Sequence, residues 1–241
     1  MPQQTVDALV LRRWDVGESD RRVVLLTREL GKTLATARGA RRAKSSLAGV
    51  SEPMMAGSFE IALGRANNYV IQAQSKFSFA GIRTDFSRLS CALAWLELLD
   101  TMLHTGENVS GSFELGLIGL ASIETSKSPN GSAAWAALKL LHLLGYAPIF
   151  DRSASSGKKL SEPVCISACS GGAILGAEAE TVHDALDIDR EIATTLAKLQ
   201  ELDEPPPFVK RSQETWSAVG HFIEHLVGAE LPAMRAALRS G

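Results

Sequence analysis

The apolar pattern changes period near residue 84. Before that point apolar residues gather in short runs rich in β-branched and aliphatic side chains: ALVLRRW (8–14), RRVVLLT (21–27), KTLATAR (32–38), MAGSFEIALG (55–64) and YVIQAQSKFSFA (69–80). Turn formers separate them around Gly17, at Glu29-Leu30-Gly31 and at Arg65-Ala66-Asn67-Asn68, the punctuation expected between strands. The last run alternates, with Ile71 set against Gln72, Gln74 and Lys76. A longer glycine-containing connection, 39–53, lies between the third and fourth runs. Five strands in this arrangement fit a small closed barrel of the OB type, whose open face and long loops suit oligonucleotides. An SH3-like barrel fits the strand count almost as well.

Beyond 84 the spacing becomes helical. Phe86, Leu89, Leu93, Leu96, Leu99 and Leu103 recur at intervals of three and four, one face of a helix. Further helices are predicted near 111–124 and over SAAWAALKLLHLLG, which ends on Gly145, a residue suited to a helix C-terminus. The segment 147–180 is rich in Ser, Gly and Pro and reads as loops or small hairpins. Helix returns at about 184–201. Pro205-Pro206-Pro207 interrupts it, a long helix follows over roughly 208–227, and a short one after Leu231-Pro232. The expected fold is therefore α+β and multidomain: an OB-type β-barrel over 1–80, then an all-α helical domain over 81–241 with an irregular insert at about 147–182.

Composition supports a globular chain, with 45% apolar and 22% charged residues. No run of 18 apolar residues occurs, so no membrane span is expected. The opening MPQQTVDALVLRRW lacks the order of a secretory signal, and the cytoplasm is the expected compartment. Cys91, Cys165 and Cys169 are odd in number and fit small buried hydrophobes better than a disulfide framework. Charge is uneven. Residues 1–80 hold twelve Lys or Arg and seven Asp or Glu, a net of +5, which leaves −7 for the rest of a chain of net charge −2. That asymmetry points to a polyanionic partner for the first part.

The densest cationic stretch is ARGARRAKSS, 37–46. Arg38 ends a predicted strand, and Gly39 lets the backbone turn and approach a ligand. Arg41, Arg42 and Lys44 follow on a loop with Ser45. Guanidinium forks match phosphate oxygens and hydroxyls add hydrogen bonds. Arg13, Arg21, Arg22, Lys32 and Arg65 come from the same predicted barrel, and complete the electrostatic half of a candidate DNA site. Trp14, Phe59, Tyr69, Phe77 and Phe79 are the candidates for base stacking. The alternative is a solvated basic face on a protein-interaction scaffold that does not touch DNA.

Catalytic patterns are incomplete. Gly31-Lys32-Thr33 resembles the end of a phosphate loop, but Leu26 stands where the motif needs glycine. Ser155 and Lys158 have the spacing of a nucleophile pair without its supporting motifs. His221 and His225 are one helical turn apart with no third ligand in view. No catalytic residue and no cofactor is expected.

Residues 17–53, GESDRRVVLLTRELGKTLATARGARRAKSSLAGVSEP, resemble the N-terminal signature of the RecO recombination mediators of bacteria. The E-S-D after the first strand, L-T-R-E-x-G before the third and G-A-R-R-x-K-S-x-L-x-G after it all occur in order. LAWLELLD (93–100) and LKLLHLLGYAPIFDR (138–152) agree as well. The resemblance implies an OB fold followed by a helical domain with a zinc-ribbon-like insert. It implies binding of single- and double-stranded DNA, annealing of complementary strands, and cooperation with RecR and the C-terminal tail of the single-stranded-DNA-binding protein (SSB), so that RecA is loaded at gaps. It implies a cytoplasmic, nucleoid-associated protein. One departure stands out: where many relatives carry two C-x-x-C pairs in the insert, this chain has serines within Ser153-Ala154-Ser155-Ser156, then Gly176 and Ala179. Serine is a poor zinc ligand beside thiolate, so no structural metal is expected and the insert is predicted to rely on packing alone or to be loose.

Overall fold

The structure, a computed structural model, describes residues 1–239. The chain forms two compact units. One joins Met1–Thr84 with Leu96–Ala121, and the other joins Asp85–Trp95 with the chain from Ser122 on. Two helices, α2 (Phe86–Met102) and α3 (Ser112–Thr125), contribute residues to both.

The first unit is built on five strands: β1 (Gln3–Val16), β2 (Asp20–Thr27), β3 (Gly31–Ala37), β4 (Ala56–Ala62) and β5 (Asn68–Phe77). The strand order β1-β2-β3-β5-β4 closes on itself through the β1–β4 pair. All pairs are antiparallel except β3–β5, a short parallel joint made by Ala35, Thr36 and Ala37 opposite Asn68, Tyr69 and Val70. The OB-type reading of the sequence is thus realised. Helix α1 (Leu47–Val50) sits in the connection between β3 and β4.

The barrel interior is filled by alternate residues, as strand geometry requires: Val6, Ala8, Val10, Val23, Leu25, Ala35, Ala37, Phe59, Ile61 and Val70 are all buried there. Beta-strand β1 breaks the alternation. Val10 pairs with Leu25 and Arg12 with Val24, so Leu11 is an extra residue in the ladder. Such a bulge reverses which face the following side chains take. Beyond it Arg13 lies opposite the inward Val23, while Arg12 and Trp14 lie opposite the outward Val24 and Arg22.

The outer face is half covered. Near Leu9 and Leu26, both buried, helices α2 and α3 pack closely. A Cβ placed on Gly116 would lie 3.2 Å from Leu9 and 3.4 Å from Leu26, so glycine lets α3 sit flush against the strands. The opposite end of that face, around Trp14, is open, with Trp14 37% exposed.

The second unit contains α4 (Pro129–Leu143), a three-stranded sheet of β6 (Val164–Ser167), β7 (Gly172–Leu175) and β8 (Leu186–Ile188) in the order β7-β6-β8, then α5 (Arg190–Glu201), α6 (Ser212–Val227) and α7 (Pro232–Arg239). Trp216 and Phe222 of α6 are buried, and Phe150 meets Phe222 edge-on at 6.3 Å. The helix expected from 184 begins only at Arg190, because 186–188 pair with β6.

The insert is not held by packing alone. Ser153 Oγ donates to Glu178 Oε2 at 2.7 Å, and the Leu175 N–H donates to the same oxygen at 2.9 Å. Ser167 Oγ donates to Asp184 Oδ1 at 2.6 Å and the Cys169 N–H to Asp184 Oδ2 at 3.0 Å. Two carboxylates thus tie the loops together. Among the described residues no group of three or more His, Cys, Asp or Glu is placed to hold a metal ion. Hydrogen bonds from Ser153, Ser156 and the Leu175 N–H hold the Glu178 carboxyl below the ordinary range. Burial pushes Asp184 up, but donation from Ser167, Cys169 and Ala168 outweighs it and the net shift is down. A lowered carboxylate stabilises above its unfolded pKa, and the contribution disappears as pH falls through the folded value. Amide protection in β6 and β7 is therefore expected to persist at neutral pH in EDTA and to be lost as pH falls below the ordinary carboxylate range. Loss of protection in EDTA at neutral pH would contradict this account.

Candidate nucleic-acid interface

The open end of the barrel's outer face carries one continuous row across four strands. Trp14 pairs with Arg22, Arg22 with Thr36, and Thr36 with Tyr69. Side chains directly opposite one another on a sheet face lie within contact range. An aromatic ring therefore stands at each end of the row, and each ring has an arginine against it. The Arg12 guanidinium carbon lies 5.2 Å from the Trp14 ring and that of Arg38 lies 4.1 Å from the Tyr69 ring. Beside the row runs a groove of about 310 Å3. Its walls include Arg22, Thr36, Arg65 and Asn67. Arg22 Nη2 donates to Asn67 Oδ1 at 2.7 Å across it.

The basic loop is anchored at this same end. Gly39 has a positive φ of 65°, and its N–H donates to Asp20 Oδ1 at 2.8 Å. The donated bonds from Gly39 and Ser19, then the charges of Arg38 and Arg42, hold the Asp20 carboxyl below its ordinary range. The Arg41 N–H donates to Ser19 O at 3.0 Å, and its side chain reaches Gly17 O at 3.0 Å and Asp15 Oδ2 at 3.3 Å. Ser45 Oγ accepts the N–H of Leu47, the first residue of α1, at 3.3 Å.

The ten residues singled out from the sequence fall into three sets. Arg22, Arg38, Arg42, Lys44 and Arg65 have no carboxylate in ion-pairing reach among the described residues, and Arg38, Arg42, Lys44 and Arg65 are exposed. Arg41 and Ser45 are on the same loop with internal partners. Arg13, Arg21 and Lys32 are engaged by partners within the protein. Arg21 is only 8% exposed. Its Nη1 donates to Ala48 O at 3.0 Å, Ser51 Oγ at 2.9 Å and Glu52 Oε1 at 2.9 Å. Arg13 Nε meets Glu52 Oε2 at 2.9 Å. Both face the capped end of the barrel and staple α1 over it. Lys32 Nζ is held by Asp100 Oδ1 at 2.8 Å, by Leu103 O at 3.0 Å and by Asp100 O.

The stacking candidates divide as well. Phe59 and Phe79 are buried. Phe77 is 54% exposed but eight residues from Tyr69 along β5, roughly 25 Å at the rise of a strand. Trp14 and Tyr69 remain on the row. Arg12, Thr36 and Asn67 were not singled out from the sequence. Thr36 and Tyr69 become neighbours only through the β3–β5 joint, which is not local in sequence. Among the described residues no helix is long and apolar enough to cross a membrane.

A family model described as "Recombination protein O N terminal" matches residues 1–79, and one described as "Recombination protein O C terminal" matches residues 83–235. The chain belongs to the RecO family. A DNA repair protein RecO of Anaeromyxobacter dehalogenans (strain 2CP-C) is 31% identical over 250 residues, covering 98% of this chain and 96% of that protein. A DNA repair protein RecO of Bifidobacterium adolescentis is 30% identical over 243 residues, covering 98% of this chain and 99% of its own. This RecO-family chain is thus a DNA repair and recombination protein, matched along nearly its whole length. Arg38, against Tyr69, leads into the loop Gly39–Ser45, which is anchored on Gly17, Ser19 and Asp20 between β1 and β2.

Proposed function

We propose that the protein binds single- and double-stranded DNA through the open outer face of its barrel and anneals complementary strands there. With RecR, in this reading, it helps load RecA onto SSB-coated single strands. The observation that carries the DNA-binding step is the row Trp14–Arg22–Thr36–Tyr69 with Arg38 and Arg65 beside it and Arg42 and Lys44 exposed on the loop that follows Arg38, all five cations lacking carboxylate partners among the described residues. Cations meet the phosphates, and contacts of this kind hold any sequence. The two rings offer stacking to unpaired bases, which is tolerant of base identity. Two phosphate backbones repel each other, and a surface that neutralises both lowers that cost during annealing. No covalent step is required, and the protein acts as a mediator.

Tyr69→Ala tests the reading. Loss of one stacked base costs about 1–3 kcal/mol, so single-strand affinity is expected to fall by roughly 5- to 150-fold, with a smaller effect on duplex. Equal affinity of the variant and the wild type for a fluorescein-labelled oligonucleotide would overturn the assignment of Tyr69. The acidic, apolar SSB tail is assigned to the helical domain, so the same variant is expected to bind a tail peptide normally. Loss of tail binding with Tyr69→Ala would move that site onto the barrel.

A further inference from the structure

The small sheet of the second unit has two edges, and they are treated differently. The β7 edge is sealed: Ala173 donates its N–H to Ile149 O at 2.7 Å and accepts from the Ala154 N–H at 2.7 Å. The β8 edge has β6 as its one strand neighbour, and among the described residues no bridge or backbone bond covers its outer side. Such an edge is a template for another strand. It lies in a groove of about 490 Å3 with an apolar floor that includes Val164, Ile188 and Ile192. The rim is acidic. Glu162, Asp187, Asp189 and Glu214 line the groove, and no Lys or Arg does. Arg211, outside it, bridges Asp189 and Glu214. Glu162 and Asp187 have no cationic partner among the described residues: Glu162 accepts the Arg190 N–H at 2.7 Å, and Asp187 accepts the Cys165 thiol at 2.9 Å.

From this edge and its charge we infer that β8 is a docking strand for an extended basic segment of a partner protein, which adds to the sheet as a fourth strand. DNA and acidic peptides are repelled by the rim, so the groove is distinct in ligand charge from the barrel face. The alternation of β8 sets the pattern of the guest. Leu186 and Ile188 share one face and Asp187 takes the other. A guest strand alternating apolar and basic residues pairs with both faces at once, with cross-strand opposite-charge contact at Asp187.

The test uses the full-length protein and three synthetic peptides: alternating Lys-Val, alternating Glu-Val, and a peptide of the Lys-Val composition with its lysines and valines in two blocks. Binding is followed by anisotropy, and amide exchange locates it. The proposal expects the alternating Lys-Val peptide to bind and, alone of the three, to slow exchange at 186–188. Asp187→Asn, which keeps an acceptor for the Cys165 thiol, is expected to weaken binding at least fivefold with an unchanged melting temperature. Asp187→Lys is expected to abolish it. Equal binding of the block peptide, protection away from 186–188, or no binding at all would each overturn the proposal. So would concentration-dependent self-association that Asp187→Lys abolishes, because the edge would then serve a second copy of this chain.

Discussion

Arg21→Ala is expected to lower the melting temperature by about 6–12 °C, whereas Arg22→Ala leaves it nearly unchanged and weakens DNA binding. The two residues are adjacent and chemically identical, and strand geometry sends them to opposite faces. The Arg21 guanidinium is buried and bonded to Ala48 O, Ser51 Oγ and Glu52 Oε1. Removing it leaves Glu52 with Arg13 as its remaining cation and strands Ala48 O and Ser51 Oγ beside a barrel end it no longer closes. Breaking a buried pair by deleting one partner costs about 3 kcal/mol or more, and each kcal/mol is worth roughly 2–4 °C in a chain of this size. Arg22 is half-buried on the outer face, with Asn67 as its partner, so its loss costs the fold at most about 0.5 kcal/mol. Thermal melts and anisotropy on the two single variants read both effects. A stable Arg21→Ala with impaired DNA binding would reverse the assignment.

The second large effect is electrostatic. Changing Arg22, Arg38, Arg42 and Lys44 together to alanine is expected to flatten the salt dependence of single-strand binding. Each neutralised phosphate contributes about 0.7 to the slope of log K against log salt on single strands, so four lost contacts reduce it by about 3. Between 50 and 200 mM salt the wild type should then lose roughly 50-fold more affinity than the variant. The fold should persist, because among the described residues none of the four pairs with a carboxylate. Arg41 is left in place, since it holds Asp15 and Gly17. An unchanged slope would make the loop an ordinary solvated surface and favour an interaction scaffold.

Much of the barrel was legible from local pattern. Five apolar runs, the turn signals between them and the density of cations after Gly39 all report interactions close in sequence. Five things were not legible, each for a physical reason. The alternation of Val6, Ala8 and Val10, carried forward without a break, turns Arg12 and Trp14 inward and Arg13 outward. The bulge at Leu11 reverses that, and nothing in the side chains around it announces an extra ladder residue. The fates of Arg21 and Lys32 depend on Glu52 and Asp100, which the fold brings from 31 and 68 residues away. The join of Thr36 to Tyr69 depends on barrel closure. In the insert, the serines within 153–156 read as lost ligands. Their new role needed Glu178, which arrives from 25 residues away to accept from Ser153. The late start of α5 has the same origin, since β8 exists only because β6 is beside it.

The most direct test of the central claim is a backbone NMR titration of the full-length protein with a short single-stranded oligonucleotide. The account predicts that the largest shifts fall on Trp14, Arg22, Thr36 and Tyr69 and on the loop Gly39–Ser45, with 164–188 unmoved. Shifts confined to the helical unit, or none in the barrel at saturating oligonucleotide, would contradict it.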